Sequence, residues 1–246
     1  MKLTAFCNIV RKVLDPIFTR VAVSAGYRVG RNIPLALQRG ATLSTAEYVL
    51  EKMNTAAVFK SAHELLAWAA EKCREADGLA LEFGVWKGNS LRVLVKTFRH
   101  RIYGFDSFRG LPEDWRSGIP AGTFALKQPP KVPPNAELVV GWFNETLDGF
   151  LASHPGRIKF LHIDCDLYSS TRQVLAGCRE RLRPGSIIVF DEYFNYPGWR
   201  EGEFRAFQEM TAQYGLTYRY LAYVGRGEQV AIEITSNTLP SAASDA

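Results

Sequence analysis

Residues 79–90 read LALEFGVWKGNS, and this segment gives the clearest indication of the fold. Its first five residues are an apolar run of strand length, and Gly84 and Gly88 then lead into a segment with helical periodicity. A buried strand, a glycine turn and a helix in direct succession are typical of a parallel sheet covered by helices. The stretch is neither a GxGxxG motif nor a phosphate-binding P-loop, because its glycines have the wrong spacing and no Gly-Lys-Ser/Thr follows.

The same alternation of strand and helix patterns continues along the chain. Strands are predicted at residues 79–83, 102–105, 137–140, 160–163 and 186–190. Helices are predicted at residues 63–76, 90–99, 146–153, 171–182 and 203–214. Two further strands, 218–222 and 229–234, would add an antiparallel edge. The sequence therefore predicts an α/β protein with a mostly parallel sheet.

The composition is that of an ordinary globular chain. It has 246 residues, of which 47% are apolar, and a net charge of +5. No uncharged apolar run is long enough to span a membrane. The four cysteines form no CxxC pair, and the first residues lack a signal-type apolar core. Structural zinc is disfavoured because Cys and His do not cluster at ligand spacing. We therefore expect a reduced, cytoplasmic protein.

Basic side chains concentrate near the N terminus. Residues 1–40 hold seven basic and one acidic side chain, whereas the remainder holds 23 basic and 24 acidic ones. Apolar residues from Phe6 to Val21 recur at helical spacing, which predicts a basic amphipathic helix. We divide the chain into a helical arm (1–60), a main domain (61–235) and a flexible tail (236–246).

The arm has two candidate partners. Packing on the domain or on a second subunit, which would make a homo-oligomer, is favoured over peripheral contact with a membrane. No nucleic-acid partner is expected, because the main domain has no basic stretch interleaved with aromatic residues.

Residues 110–134 are predicted to form a long loop. They include six prolines, too many for a helix or a central strand. Trp115 and Phe124 would be costly to leave in solvent. The loop is therefore a candidate lid over a binding site, and an ordinary surface excursion is the equal alternative.

Ligands of open α/β sheets bind beyond the carboxyl ends of the strands. Glu82 and Gly84 precede a helix start, whose free N–H groups attract a negatively charged group. Asp106 ends the next strand, where an acid can bond ribose hydroxyls. The rings of Trp142 and Phe143 follow the third strand and could flank a purine, with core packing as the alternative. Without a diphosphate motif, this pattern predicts an adenosine that lacks phosphates.

Acidic residues gather at the next two strand ends. Asp164 and Asp166 follow one strand, and Asp191 and Glu192 follow the other. Such neighbours repel one another unless a cation or shared protons offset their charge. Asp164, Asp191 and Glu192 could supply three oxygens to a Mg²⁺-type ion, with Asp166 nearby. The alternative is that one or two of these acids cap a helix or lie on the surface. His162 is interpreted as a core residue.

Five motifs in this order resemble those of macrocin O-methyltransferase-like enzymes, a family of class I S-adenosylmethionine-dependent methyltransferases. They read EFGVWKG at 82–88, DSFRGLP at 106–112, GWFNETL at 141–147, DCDLYSST at 164–171 and DEY at 191–193. The resemblance covers roughly residues 61–234. It implies a Rossmann-like class I methyltransferase fold with a seven-stranded sheet and helices on both faces. The implied activity is O-methylation of a small-molecule hydroxyl, with the sugar moiety of a natural product favoured.

The resemblance also implies the site. The implied cofactor-binding residues are Glu82, Gly84 and Ser90 toward the methionine, Asp106 at the ribose, Ser107, Trp142 and Phe143 at the adenine, and Asp164. Mg²⁺ would be held by Asp164, Asp191 and Glu192, and Asp166 would be the catalytic base. The family usually has Asp-Gly-Asp and Asp-Asp-Tyr where this chain has Asp-Cys-Asp and Asp-Glu-Tyr. The side chain of Glu192 therefore extends about one methylene further than the usual Asp.

Two other functions remain open from the sequence. The residues Asp164-Cys165-Asp166 form a DxD pattern, which can hold the metal–diphosphate complex of a glycosyltransferase. The glycine turn followed by Asp106 disfavours that reading, because it fits a nucleoside without diphosphate. The second alternative is a protein that binds S-adenosylmethionine without catalysis and serves as a scaffold.

Overall fold

The computed structural model describes residues 31–74, 76–98 and 100–237, and the amphipathic segment from Phe6 to Val21 lies outside them. The helices are α1 (Ile33–Lys52), α2 (Ala62–Lys72), α3 (Asn89–Thr97), α4 (Phe143–Ser153), α5 (Tyr168–Cys178) and α6 (Glu203–Tyr214). The strands are β1 (Ala57–Phe59), β2 (Leu79–Phe83), β3 (Ile102–Asp106), β4 (Ala136–Val140), β5 (Ile158–Ile163), β6 (Leu182–Phe190), β7 (Thr217–Val224) and β8 (Val230–Ser236).

These strands form one sheet in the order β1-β7-β8-β6-β5-β2-β3-β4. Strand β8 runs antiparallel to β6 and β7, and the other neighbouring pairs are parallel. The mostly parallel sheet is confirmed, but the predicted number of seven strands is corrected to eight. The additional strand β1 pairs with residues 222–224 of β7. Its three residues are too few to show the alternating pattern that identifies a strand.

Hydrophobic clusters cover both faces of the sheet. Phe83, Phe105 and Phe190 belong to one cluster, against which α4, α5 and α6 pack. Ala80 and Phe160 belong to the other cluster, to which α2 and α3 contribute. Strand β2 is consequently buried on both sides, which explains why its residues are apolar except for Glu82.

Helix α1 packs on the main domain through one side. The Tyr48 ring meets the Trp199 ring edge-on at 5.6 Å, and the Gln38 amide donates to the Asn195 carbonyl at 2.8 Å. Its other side exposes large apolar residues, namely Ile33, Leu37, Leu43 and Leu50. The predicted arm thus contains a helix and a strand that join the domain, and the division at residue 60 stays a prediction. Among the described helices, none combines the length and apolar character needed to cross a bilayer.

Candidate active site

Two cavities open at the carboxyl ends of β2, β3, β5 and β6. The larger one measures about 850 Å³, and the predicted cofactor residues that line it are Gly84, Asp106, Ser107, Trp142 and Phe143. The smaller one measures about 220 Å³, and its lining includes Ser90, His162, Asp164 and Asp191. The structure therefore brings most of the predicted site residues together around the ends of four adjacent strands.

Gly84 allows β2 and β5 to approach each other closely. Its φ is +91°, and a Cβ atom at this position would lie 1.6 Å from the carbonyl oxygen of Asp164. Only glycine fits this combination of dihedral angle and contact. The turn then leads through Gly88, with φ of +72°, into α3, which begins without a side-chain cap. The first N–H groups of α3 are therefore open to a negatively charged ligand.

Asp106 faces the larger cavity and also stabilises the glycine turn through hydrogen bonds. Its Oδ2 accepts the backbone N–H of Val85 at 2.9 Å and of Trp86 at 2.8 Å, and its Oδ1 accepts the N–H of Phe108 at 2.7 Å. A carboxylate has about four acceptor positions, so one remains for a ribose hydroxyl. The predicted role at the ribose and a role in shaping the turn are thus compatible.

Trp142 and Phe143 face the larger cavity, Phe143 also contacts the core, and the predicted role beside a purine stays a prediction. Both side chains are half-buried and line the larger cavity. The Phe143 ring also packs edge-on against Phe83 with ring centroids 5.2 Å apart. Phe143 therefore contacts the core, and both rings still line the larger cavity.

The proline-rich loop lies against the larger cavity, as the lid prediction requires. Leu111 and Phe124 contribute to the cavity lining. The loop is tied to the start of α5, where the Ser169 hydroxyl donates to the Glu113 carboxylate at 2.5 Å. The loop is therefore a wall of the site in this conformation.

A second interaction that holds the loop in place, made by Arg116, lies near the acidic residues. The Arg116 guanidinium binds both carboxylate oxygens of Glu228, at 2.7 and 3.3 Å. It also lies 4.0 Å from the ring centre of Trp115 and 3.8 Å from that of Tyr196. Its positive charge opposes, in part, the rise in the pKa of Asp166 that burial causes.

The acidic residues form two overlapping groups. Asp164, Asp166 and Glu192 can place one carboxylate oxygen each within 4.8 Å of one another. His162, Asp164 and Asp191 can do the same with one ligand atom each. Asp164 belongs to both groups. The metal set predicted from sequence, Asp164, Asp191 and Glu192, is thus divided between the two, and it stays a prediction.

The carboxylates of this cluster fit a hard divalent cation. Burial, reinforced by the Asp191 charge, raises the pKa of Asp164 and of Glu192 well above the usual values. Burial also raises the pKa of Asp166 to about 7. One oxygen of Glu192, Oε2, is buried and has no hydrogen-bond partner. Such an oxygen is costly unless a cation or donor contacts it, and oxygen-only donors suit Mg²⁺.

Glu82 lies within the sheet and contacts His162. It is fully buried in β2 and lines neither cavity. Its Oε1 lies 2.9 Å from Nδ1 of His162, whose Nε2 lies 4.0 Å from Oδ1 of Asp191. The predicted contact of Glu82 with the methionine stays a prediction, and the structure shows Glu82 supporting His162. The histidine is buried, as expected, yet it also faces the smaller cavity.

Three residues of this region are not indicated by the sequence patterns, namely Arg116, Glu203 and Glu228. Arg116 and Glu228 are 112 positions apart, so no local pattern connects them. Glu203 was included only as the start of a predicted helix. The position of Glu203 shortly after the Asp-Glu-Tyr motif could have indicated that it belongs to the site. An acid in the first turn of a helix is, however, ordinarily a surface residue.

We expect the metal-free protein to lose stability as the pH rises. A carboxyl group with a higher pKa in the folded state binds protons more tightly there, so the free energy of unfolding falls between the unfolded and folded pKa values. For Asp166 this window runs from 3.8 to about 7. In chelator, Tm should fall by on the order of 5 °C between about pH 5 and pH 8. Thermal denaturation at several pH values measures this, and a Tm that rises across the window would contradict it.

The fold and the site together define a class of protein. A mostly parallel sheet, a glycine turn after a central strand and an acid at the tip of the neighbouring strand are the features of a Rossmann-like methyltransferase. Residues 81–193, somewhat less than half of the chain, match a family model described as a methyltransferase domain. The class predicted from the five motifs is confirmed.

Individual relatives agree with this class. Over 147 residues the chain is 30% identical to the 8-demethyl-8-(2,3-dimethoxy-alpha-L-rhamnosyl)-tetracenomycin-C 4'-O-methyltransferase of Streptomyces olivaceus. That alignment covers 48% of this chain and 55% of the relative, so the chain spans about half the length of this curated protein.

Solved structures extend the comparison. CalS11, a calicheamicin methyltransferase, is 26% identical with a TM-score of 0.57, and the match covers 70% of this chain and 77% of CalS11. The O-methyltransferase NovP is 20% identical with a TM-score of 0.53, covering 70% of this chain and 79% of NovP. The likeness to NovP concerns the fold alone.

Proposed function

We propose that the protein is an S-adenosylmethionine-dependent O-methyltransferase that acts on a sugar hydroxyl of a natural product or a related small molecule. The observation that carries the proposal is the convergence of Gly84, Asp106, Asp164 and Asp191 on two neighbouring cavities. The sugar substrate is supported by the relatives, since the Streptomyces olivaceus enzyme is named for a rhamnosyl compound and CalS11 is described as a TDP-rhamnose 3'-O-methyltransferase.

The lining of the cavities supports one placement of the cofactor. The adenine would lie in the larger cavity beside Trp142 and Phe143, with Ser107 at its edge, and the ribose at Asp106. The methionine carboxylate would approach the open N–H groups at the start of α3, close to Ser90.

The acidic cluster supports the chemical role of the site. A sulfonium methyl group is already activated, so the protein must mainly align the acceptor oxygen and remove its proton. The residues that would hold Mg²⁺ are Asp164, Asp191 and Glu192. When bound, the ion would orient the acceptor hydroxyls and lower their pKa. Asp166, with its pKa raised to about 7, is the proposed base that accepts the proton.

The proposal is tested by methyl transfer to a panel of acceptors. Purified protein is incubated with methyl-labelled S-adenosylmethionine, Mg²⁺ and a set of nucleotide sugars and glycosylated natural products. Labelled product that depends on the protein supports the proposal. Binding of S-adenosylmethionine without transfer to any acceptor would favour the non-catalytic scaffold. Transfer of a sugar from a nucleotide sugar would instead establish the glycosyltransferase.

We expect Asp106→Ala to weaken S-adenosylhomocysteine binding by about 10²-fold. The change removes the ribose acceptor and leaves the N–H groups of Val85 and Trp86 without their partner. Asp114→Ala is the matched control, because Asp114 also accepts one backbone N–H, from Ala121 at 2.8 Å, but lines neither cavity. Calorimetric titration measures both variants, and equal losses would contradict the assignment of Asp106.

Location and assembly belong to the same proposal. A location in the cytoplasm is supported by Cys73, Cys165 and Cys178, because all three are free thiols, as expected in a reducing compartment. A homo-oligomer fits the apolar side chains that α1 exposes on its outer side. Light scattering coupled to size-exclusion chromatography measures the assembly, and a monomer at all concentrations would rule out the homo-oligomer.

A further inference from the structure

Glu203 connects the two chain segments that carry the acidic cluster. It lies in the first turn of α6 and is fully buried. Its Oε2 accepts the backbone N–H of Glu192 at 3.0 Å. Its Oε1 accepts the Thr171 hydroxyl at 3.5 Å, and the same hydroxyl lies 3.5 Å from the Cys165 Sγ. Glu203 therefore contacts Glu192 directly and, through Thr171, the residue between Asp164 and Asp166.

No neighbouring cation accounts for the burial of this carboxylate. In residues 31–74, 76–98 and 100–237, no Lys, Arg or His forms an ion pair with Glu203. Burying a carboxyl group beside other acids is costly unless its hydrogen bonds repay the cost. The free-energy cost of burying the Glu203 carboxyl group, together with its hydrogen bonds to Glu192 and Thr171, indicates that Glu203 helps to position these neighbours.

Glu203 does not itself contribute to either group of candidate ligand atoms. Those groups comprise Asp164, Asp166 and Glu192, and His162, Asp164 and Asp191. Both oxygens of Glu203 are engaged with donors of the protein. Its effect on the cluster is therefore exerted through the backbone of Glu192 on one segment and through Thr171 on the other.

We infer that Glu203 is a positioning residue that sets the separation between the carboxylates of Asp164 and Asp166 on one strand end and of Glu192 on the other. The inference rests on the proposed metal site. Glu192 has one more rotatable bond than an aspartate, so a fixed backbone restricts where its carboxylate can reach. Residues that orient ligands in this way typically contribute 10- to about 100-fold in metal affinity.

The test compares Glu203→Gln with the wild-type chain. Glutamine keeps the size of the side chain but has one acceptor oxygen, so either the Glu192 N–H or the Thr171 hydroxyl loses its acceptor. We expect the affinity for Mn²⁺, measured by calorimetry and by the electron paramagnetic resonance signal of free Mn²⁺, to fall about 10- to 100-fold. The affinity for S-adenosylhomocysteine should stay within about twofold, because Glu203 lines neither cavity.

The matched control is Glu201→Gln. Glu201 lies two positions earlier, is exposed and pairs with Arg205, so its replacement should leave both affinities unchanged. If Glu203→Gln does not fold, Glu203→Asp serves instead, because it keeps the charge and both acceptors but withdraws them by one methylene. It should weaken Mn²⁺ binding as well.

Three results would overturn the inference. Wild-type affinity for Mn²⁺ in Glu203→Gln, or in Glu203→Asp if that variant is used, would show that the cluster does not need Glu203. An equal loss of affinity for Mn²⁺ and S-adenosylhomocysteine, together with a lower Tm, would assign Glu203 a general structural role. Absence of Mn²⁺ binding by the wild-type chain would remove the proposed metal site and the inference with it, while leaving the cofactor site to be judged by its own titration.

Discussion

Replacing Asp166 by asparagine is expected to lower the rate of methyl transfer about 10²- to 10⁴-fold. Asparagine has nearly the same shape as aspartate but cannot accept the proton of the acceptor hydroxyl. The side chain lies beside Asp164 and Glu192, where a proton acceptor is close to the proposed metal site. Single-turnover kinetics with saturating S-adenosylmethionine measure the effect on the chemical step.

The substitution leaves the backbone of this segment intact. Asp166 has a φ of +63°, a left-handed conformation that asparagine adopts more readily than most residues. The affinity for S-adenosylhomocysteine should therefore stay within about twofold of the wild-type value. Asp148→Asn, on the exposed side of α4, is the control and should keep full activity. If Asp166→Asn retained more than about a tenth of the rate, Asp166 would not be the base.

The change of Gly84 to alanine is expected to destabilise the protein by more than about 4 kcal/mol. The added Cβ would fall 1.6 Å from the Asp164 carbonyl oxygen and 2.6 Å from its carbonyl carbon, both rigid backbone atoms. Relief of this contact requires the ends of β2 and β5 to separate, and S-adenosylmethionine binding should be lost with it. Urea unfolding followed by circular dichroism measures the stability.

Gly118→Ala provides the matched comparison. Gly118 also has a positive φ, +84°, but a Cβ there would have nothing within 4 Å. Its replacement incurs only the dihedral penalty, about 1 kcal/mol, and should leave cofactor binding unchanged. The difference in the free energy of unfolding between the two variants measures the cost of disturbing the contact between the residues that follow β2 and β5. Similar losses in both would show that the dihedral angle alone makes Gly84 necessary.

The sheet and most of the cavity-lining residues were predictable because their signals are local. The run at residues 79–83 became β2, and Asp106 ends β3 as its position after an apolar run indicated. Gly84 was recognisable as a turn glycine, although its contact with Asp164 depends on how β5 lies beside β2. That contact joins residues far apart in sequence, and no local pattern encodes it.

Features that depend on tertiary contacts were not predictable. The ion pair of Arg116 and Glu228 and the bonds of Glu203 to the acidic segments join distant parts of the chain. Helix α1 is a different case. Asn32 accepts the N–H of Leu35, and Pro34 follows at the first turn, which is a local helix-start signal. This signal lies outside the amphipathic pattern at residues 6–21, which is the pattern that predicted a helix in the arm.

Binding of S-adenosylhomocysteine to the purified protein is the most direct test of the proposed methyltransferase site. Calorimetric titration is carried out once with Mg²⁺ and once with chelator. We predict one site with a Kd in the micromolar range under both conditions, because the proposed cofactor contacts at Asp106, Trp142 and the start of α3 do not involve the ion. Absence of binding under both conditions, together with binding of a nucleotide sugar, would contradict the proposed methyltransferase and establish the glycosyltransferase alternative.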